Sequence, residues 1–208
     1  MTIRGDSTEY ELLNKWCGTL EFYEKPKSVT TCEIGVREGL GSKVIMMGIR
    51  DRIGKIPYEH IGIDPYNNLK YQHYDDREPE TADYTDEMRI QMLKDLAHEK
   101  NFNFYHLTDL QFMKLFHATD KIFDLVHFDG PHMTRDILRE SIWFADKSRK
   151  GTRFVFDDSK FFNIEVVAKA LSYWHFQVFE TGKNKVCLER PHFANEPSFF
   201  LLPISTHF

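Results

Sequence analysis

Cysteine is scarce in this chain. Cys17, Cys32 and Cys187 stand far apart, with no Cys-x-x-Cys pair or other zinc-ligand spacing. That excludes a disulfide-stapled scaffold and a thiolate metal centre, and it predicts reduced thiols in a cytoplasmic protein. No apolar run approaches the roughly 20 residues of a membrane-spanning helix, and the N-terminus lacks the hydrophobic segment of a secretory leader. A membrane partner is therefore not expected. Positive charge is not in excess either: the net charge is −5 with ten histidines counted neutral. The Lys/Arg field that displaces counterions from a phosphate backbone is missing, so no nucleic-acid partner is expected. The glycine spacings GxGxxG and GxxxxGK[ST] are absent as well, which weighs against a nicotinamide-dependent oxidoreductase and against a P-loop enzyme.

What the sequence does hold is apolar and aromatic: 41% hydrophobic residues and 18 Phe in 208 residues. This is enough for one sizeable core, and residues 1–208 read as a single domain. The pattern Thr8-x-x-Glu11 before Leu12, Leu13, Trp16 and Leu20 resembles a helix-capping box, so residues 1–27 read as a helical lead-in. Beyond it, short apolar runs alternate with helical stripes, the mark of βαβ units and a parallel sheet. Strands are predicted at Val29–Ile34, His60–Asp64, Phe102–Leu107, Phe123–Asp129 and Arg153–Asp157. A closing antiparallel hairpin is predicted from Gln177–Glu180 and Lys185–Glu189. Helical stripes fall at Met88, Met92, Leu93 and Leu96, at Leu138, Ile142 and Ala145, and at Ile164, Val167, Leu171 and Trp174. Two stretches break the alternation. Residues 67–84 are polar and tyrosine-rich, the length of a functional lid. Residues 191–208 form an apolar tail suited to docking on this domain or on a second copy.

Open parallel sheets bind ligands at the carboxyl ends of their strands, near the reversal of strand order. The first strand ends Glu33-Ile34-Gly35-Val36-Arg37-Glu38-Gly39-Leu40-Gly41-Ser42, and its glycines let backbone approach a ligand closely. The second ends in Asp64, placed to accept hydrogen bonds from ribose hydroxyls. The third leads to Thr108-Asp109, which can reach an adenine edge or simply start a helix. The fourth ends Asp129-Gly130-Pro131-His132 and the fifth Asp157-Asp158. If these two strands are neighbours, their ends lie about 5 Å apart. Asp129, Asp157 and Asp158 then converge as oxygen ligands for a hard ion such as Mg²⁺, with His132 beside them as proton acceptor. The alternative for Asp157 and Asp158 is capping of the helix that begins near Phe161.

Taken together, Glu33-Ile34-Gly35-x-x-x-Gly39 with Ser42, Asp64, and Asp129-Gly130-x-His132 followed by Asp157-Asp158 resemble the motifs of class I methyltransferases, in particular the branch of macrocin-type sugar O-methyltransferases. The resemblance runs from about Val29 to Glu189. It implies a Rossmann-like three-layer α/β sandwich with a seven-stranded, mostly parallel sheet whose last strand is antiparallel. It also implies S-adenosylmethionine as methyl donor, held by Glu33, Gly35, Gly39, Ser42 and Asp64, to which the strand-end reading adds Asp109, and a Mg²⁺ that binds a hydroxylated small molecule or glycan as acceptor. A metal-independent methyltransferase and a noncatalytic S-adenosylmethionine-binding module are the other readings this pattern allows.

Overall fold

The structure, a computed structural model, describes residues 9–192. Its centre is a seven-stranded sheet built from β1 (Val29–Ile34), β2 (Tyr58–Ile63), β5 (Phe102–Tyr105), β6 (Leu125–Phe128), β7 (Arg153–Phe156), β8 (Gln177–Thr181) and β9 (Val186–Glu189). A separate two-stranded hairpin, β3 (Lys70–Tyr71) and β4 (Glu80–Thr81), lies within residues 67–84. The order across the large sheet is β5-β2-β1-β6-β7-β9-β8. All neighbours are parallel except β9, which runs antiparallel to both β7 and β8. This is the predicted Rossmann-like sandwich, with the last strand as the reversed one.

Helices α1 (Tyr10–Gly18), α2 (Leu40–Ile53) and α3 (Asp86–Asp95) precede α4 (Asp109–Leu115), α5 (Thr134–Ala145) and α6 (Ile164–Leu171) in the chain. Alternation along the strands divides the core. Leu125 of β6 and Val155 of β7 join Leu13, Trp16, Ile45 and Ile49 of α1 and α2. Val126, Phe128, Phe154 and Phe156 face the other way, onto Phe112, Ile137, Phe144, Val167 and Leu171 of α4, α5 and α6. Such period-2 partition requires both faces of the strands to be apolar, which accounts for their near-continuous hydrophobic runs.

Two local predictions need correction. The first helix begins at Tyr10 with Glu9 as its N-cap, in left-handed backbone and without a side-chain cap, while Thr8 lies outside the described residues. In α5 the buried face is Ile137, Glu140, Ser141, Phe144 and Ala145, with Leu138 and Ile142 only half-buried. The stripe is rotated by one position because the fully buried Glu140 and Ser141 sit on the core side, which a hydrophobicity pattern discounts. The apolar tail falls almost wholly beyond the described residues.

The core also holds a titratable group. His60 of β2 is fully buried; its Nδ1 meets Thr31 Oγ1 at 2.8 Å, and its Nε2 has no partner. Burial lowers its pKa to about 4. The unfolded chain therefore binds more protons than the folded one between pH 6.5 and 4. His60's contribution is complete above about 6.5 and is lost as the pH falls towards 4, at a cost of roughly 3 kcal/mol. The melting temperature should fall across this window, and less steeply in His60→Asn; an equal slope in the two proteins would rule out His60 as the cause.

Candidate active site

The order β2-β1-β6 reverses the chain direction of strand addition between β1 and β6. Above that point lies a cavity of about 460 Å³, walled by the carboxyl ends of β1, β2, β6 and β7 and by residues of the β3–β4 hairpin. The ladders extend past the strand ends: Asp129 N–H donates to Ile34 O at 2.9 Å and Asp157 N–H to Phe128 O at 3.0 Å. The register Phe128↔Phe156 then sets Asp129 and Asp157 side by side.

One end of the cavity is the turn after β1. Gly35, Gly39 and Glu33 are on its wall, with Gly39 as the N-cap of α2. Glu33 is buried, accepting a hydrogen bond from Ser42 Oγ at 2.5 Å and meeting His127 Nδ1 at 2.9 Å. A Cβ on Gly41 would stand 2.0 Å from Glu33 Oε1, so only glycine fits where α2 passes over this carboxylate. Ser42 is fully buried and off the cavity wall. Its hydroxyl is turned to Glu33, and it lies one residue past Gly41, which is on the wall.

Asp64 ends β2 on the same wall, accepting from the backbone amides of Arg37 and Tyr66, each at 2.9 Å. Burial raises its pKa despite those hydrogen bonds. A third backbone amide, that of Val36, also bonds this carboxylate, which leaves it one lone-pair position for a hydroxyl donor. Asp109 is a helix start, as one of the two readings expects. It opens α4 behind the Thr108 capping box, and it faces the cavity while bonded to Arg139 Nη2 at 2.6 Å.

At the other end stand Asp129, His132, Asp157 and Asp158. Burial and the adjacent Asp157 carboxylate push Asp129 well above the usual carboxylate range. Asp158 is raised in the same way by burial and by Asp157; its Oδ2 accepts from Tyr74 OH at 3.3 Å. Neither Asp157 nor Asp158 caps a helix, since Asn163 caps α6 through Val166 N–H. His132 is buried. Its Nε2 has no hydrogen-bond partner and lies 3.9 Å from Asp129 Oδ1, and its Nδ1 lies 4.0 Å from Asp158 Oδ2. Burial, followed by the neighbouring His73, lowers its pKa to about 3, so the ring is neutral near pH 7.

Residues that pattern reading passed over complete this end. His73, from the 67–84 segment, meets His132 Nδ1 at 3.3 Å through Nε2, and its carbonyl accepts the His132 amide at 2.8 Å. Asp75 of the same segment caps α5 by accepting from Thr134 N–H at 3.1 Å. The segment is thereby tied to the histidine it covers. Beneath the acids lie His127 and the fully buried Lys185, whose Nζ pairs with Asp157 Oδ2. The only advance signs of these two were polar residues inside otherwise apolar strand patterns. Among the described residues, the trio whose candidate ligand atoms all lie within 4.8 Å of one another is Glu33, His127 and Asp129.

A methyltransferase domain family model matches residues 32–159, more than half of the chain, and the chain belongs to that family. It is an S-adenosylmethionine-dependent methyltransferase. No curated protein matches the sequence significantly. Solved structures share the fold. The calicheamicin methyltransferase CalS11 aligns with TM-score 0.56 and 13% identity over 86% of this chain and 76% of its own. The N-methyltransferase NodS from Bradyrhizobium japonicum aligns with TM-score 0.54 and 11% identity over 88% and 94%. An O-methyltransferase from Bacillus cereus aligns with TM-score 0.52 and 9% identity over 91% and 84%. Among the described residues no helix is long and apolar enough to cross a membrane.

Proposed function

We propose that the protein transfers the methyl group of S-adenosylmethionine to a hydroxyl oxygen of a sugar, glycan or other small molecule, with a Mg²⁺ held by Asp129, Asp157 and Asp158. The observation that carries this reading is the unpartnered, buried Nε2 of neutral His132, on the wall of the same cavity as the glycine turn and Asp64.

The chemistry of the donor set suits the ion, although among the described residues Asp129, Asp157 and Asp158 do not form a group whose ligand atoms all lie within 4.8 Å of one another. All three groups offer oxygen, as a hard divalent cation requires. Asp129 and Asp157 are within hydrogen-bonding reach of each other; burial and then their mutual repulsion raise Asp129, and a bound cation would offset that repulsion. When bound, the ion supplies Lewis acidity to an acceptor hydroxyl. The chain's own residues do the rest. Glu33, Gly35 and Gly39 bound the methionine end of the donor, Asp64 accepts from its ribose, and Asp109 stands at its base. His132 Nε2 takes the hydroxyl proton while the oxygen forms its bond to the methyl carbon; the carbon–sulfur bond breaks, and sulfur keeps that electron pair as a neutral thioether. In-line displacement of this kind gains most from alignment. Residues 67–84 act as the lid that excludes water, with Tyr71, Tyr74 and Tyr84 facing the acceptor. The reaction runs in the cytoplasm, in keeping with three buried, free thiols.

Calorimetric titration with S-adenosylmethionine, followed by methyl transfer to a panel of sugars and phenols, tests this directly. Donor binding should be clear in both Mg²⁺ and EDTA, with product formed only in Mg²⁺. Failure to bind the donor under either condition would overturn the reading; full transfer in EDTA would remove the metal from it.

A further inference from the structure

The Lys185 ammonium lies fully buried under the acid cluster, a costly place for a charge unless the fold is built to hold it. The fold is so built. Glu9 at the start of α1 accepts hydrogen bonds from the backbone amides of Lys183, Asn184 and Lys185 at 2.7, 2.8 and 3.1 Å. From the other side, Ser159 N–H and Oγ donate to Asn184 O at 2.9 and 3.0 Å. The turn that delivers Lys185 is thus clamped to the first helix and to the segment after β7. Its Nζ pairs with Asp157 Oδ2 and reaches His127 Nε2 at 3.5 Å. An ammonium has only donors, so His127 Nε2 accepts and its Nδ1–H donates to Glu33 Oε1. A continuous line of buried polar groups therefore runs from the donor-side Glu33 to the acceptor-side Asp157.

We propose that Lys185 is a resident counter-cation of the acid cluster, holding Asp157 in place and keeping the affinity of the empty site for a divalent ion low. The inference rests on the metal reading above. A fixed positive charge on one oxygen of Asp157 repels a second cation and takes one of the lone-pair positions it would use. A divalent ion then binds firmly only when an acceptor hydroxyl adds its own oxygen lone pairs, so that ion and acceptor enter together. Lys185 is a positioning residue: it acts through Asp157 and touches neither substrate.

Titration of the full chain with Mn²⁺, without donor or acceptor and read by electron paramagnetic resonance, tests this apart from turnover. Lys185→Met should bind Mn²⁺ about tenfold or more tightly than the unaltered protein, and adding Asp129→Asn should abolish the gain. Circular dichroism checks that the variant is folded; if Lys185→Met does not fold, Lys185→Gln takes its place in the same titration. Equal Mn²⁺ affinity in the folded variant and the unaltered protein overturns the role of Lys185 while leaving the metal reading intact. Absence of Mn²⁺ binding in every protein, even with an acceptor hydroxyl and S-adenosylhomocysteine added, overturns both.

Discussion

Asp129→Asn is expected to lower kcat for methyl transfer by about a thousandfold, roughly 4 kcal/mol of transition-state stabilisation, with the affinity for S-adenosylmethionine nearly unchanged. The asymmetry follows from where the residue's two halves point. Its backbone faces the donor turn, where the Asp129 carbonyl is packed against Gly35. Its carboxylate faces Asp157 and His132 at the acceptor end and also lies within 4.8 Å of the Glu33 carboxylate and His127. The substitution preserves the first contact and removes the charge from the second. His132→Gln should cost less, about a hundredfold, because an ion-activated hydroxyl can still give its proton to water. If both residues act on the same proton, the double variant will lose less than the product of the single losses. Steady-state kinetics with calorimetric donor affinities would decide the matter. A loss of donor affinity matching the loss of kcat would show that Asp129 holds up the pocket and takes no part in the chemistry.

The strand-end acids were legible because the logic of a parallel sheet is local. A buried run that ends in Asp, as at Ile63-Asp64 or Phe128-Asp129, delivers that side chain to the carboxyl edge whatever the rest of the chain does. The closing hairpin was equally legible, from four polar residues between two apolar runs. What could not be read were contacts whose partners lie far apart in sequence. Lys185 reaches Asp157 and His127 only because β9 inserts between β7 and β8. His73 meets His132 only because the 67–84 segment folds back on α5. The Ser42–Glu33 hydrogen bond was hidden for a related reason: motif spacing fixes which turn a residue occupies, and not which way its side chain turns. The left-handed start of α1 at Glu9 carries no local signature, since the Glu9 carboxylate is occupied by the amides of residues 183–185.

The largest effect on stability is expected from Gly35→Ala. Gly35 has φ +85, where an L side chain is strained, and a Cβ there would lie 2.1 Å from the Asp129 carbonyl oxygen and 2.6 Å from its carbon. Both obstacles are backbone atoms held by the β1–β6 ladder, in which Asp129 N–H bonds Ile34 O. The clash cannot be relieved by turning a side chain; the strands must part where the cavity begins. Gly54→Ala separates the two contributions, since Gly54 also has positive φ, +60, but has nothing within 4 Å of an added Cβ. With ψ −110 it lies in a region that only glycine adopts readily, so the substitution should cost about 2 kcal/mol from backbone strain alone, or roughly 4–8 °C in melting temperature for a domain of this size. Gly35→Ala should lose about 4 kcal/mol or more, roughly 10 °C, and whatever folded protein remains should bind S-adenosylmethionine poorly. Thermal denaturation of the two variants side by side would test the comparison. Equal shifts would mean that β1 and β6 yield at their ends, and the close approach of Gly35 to Asp129 would then lose its place as the joint between the donor and acceptor halves of the site.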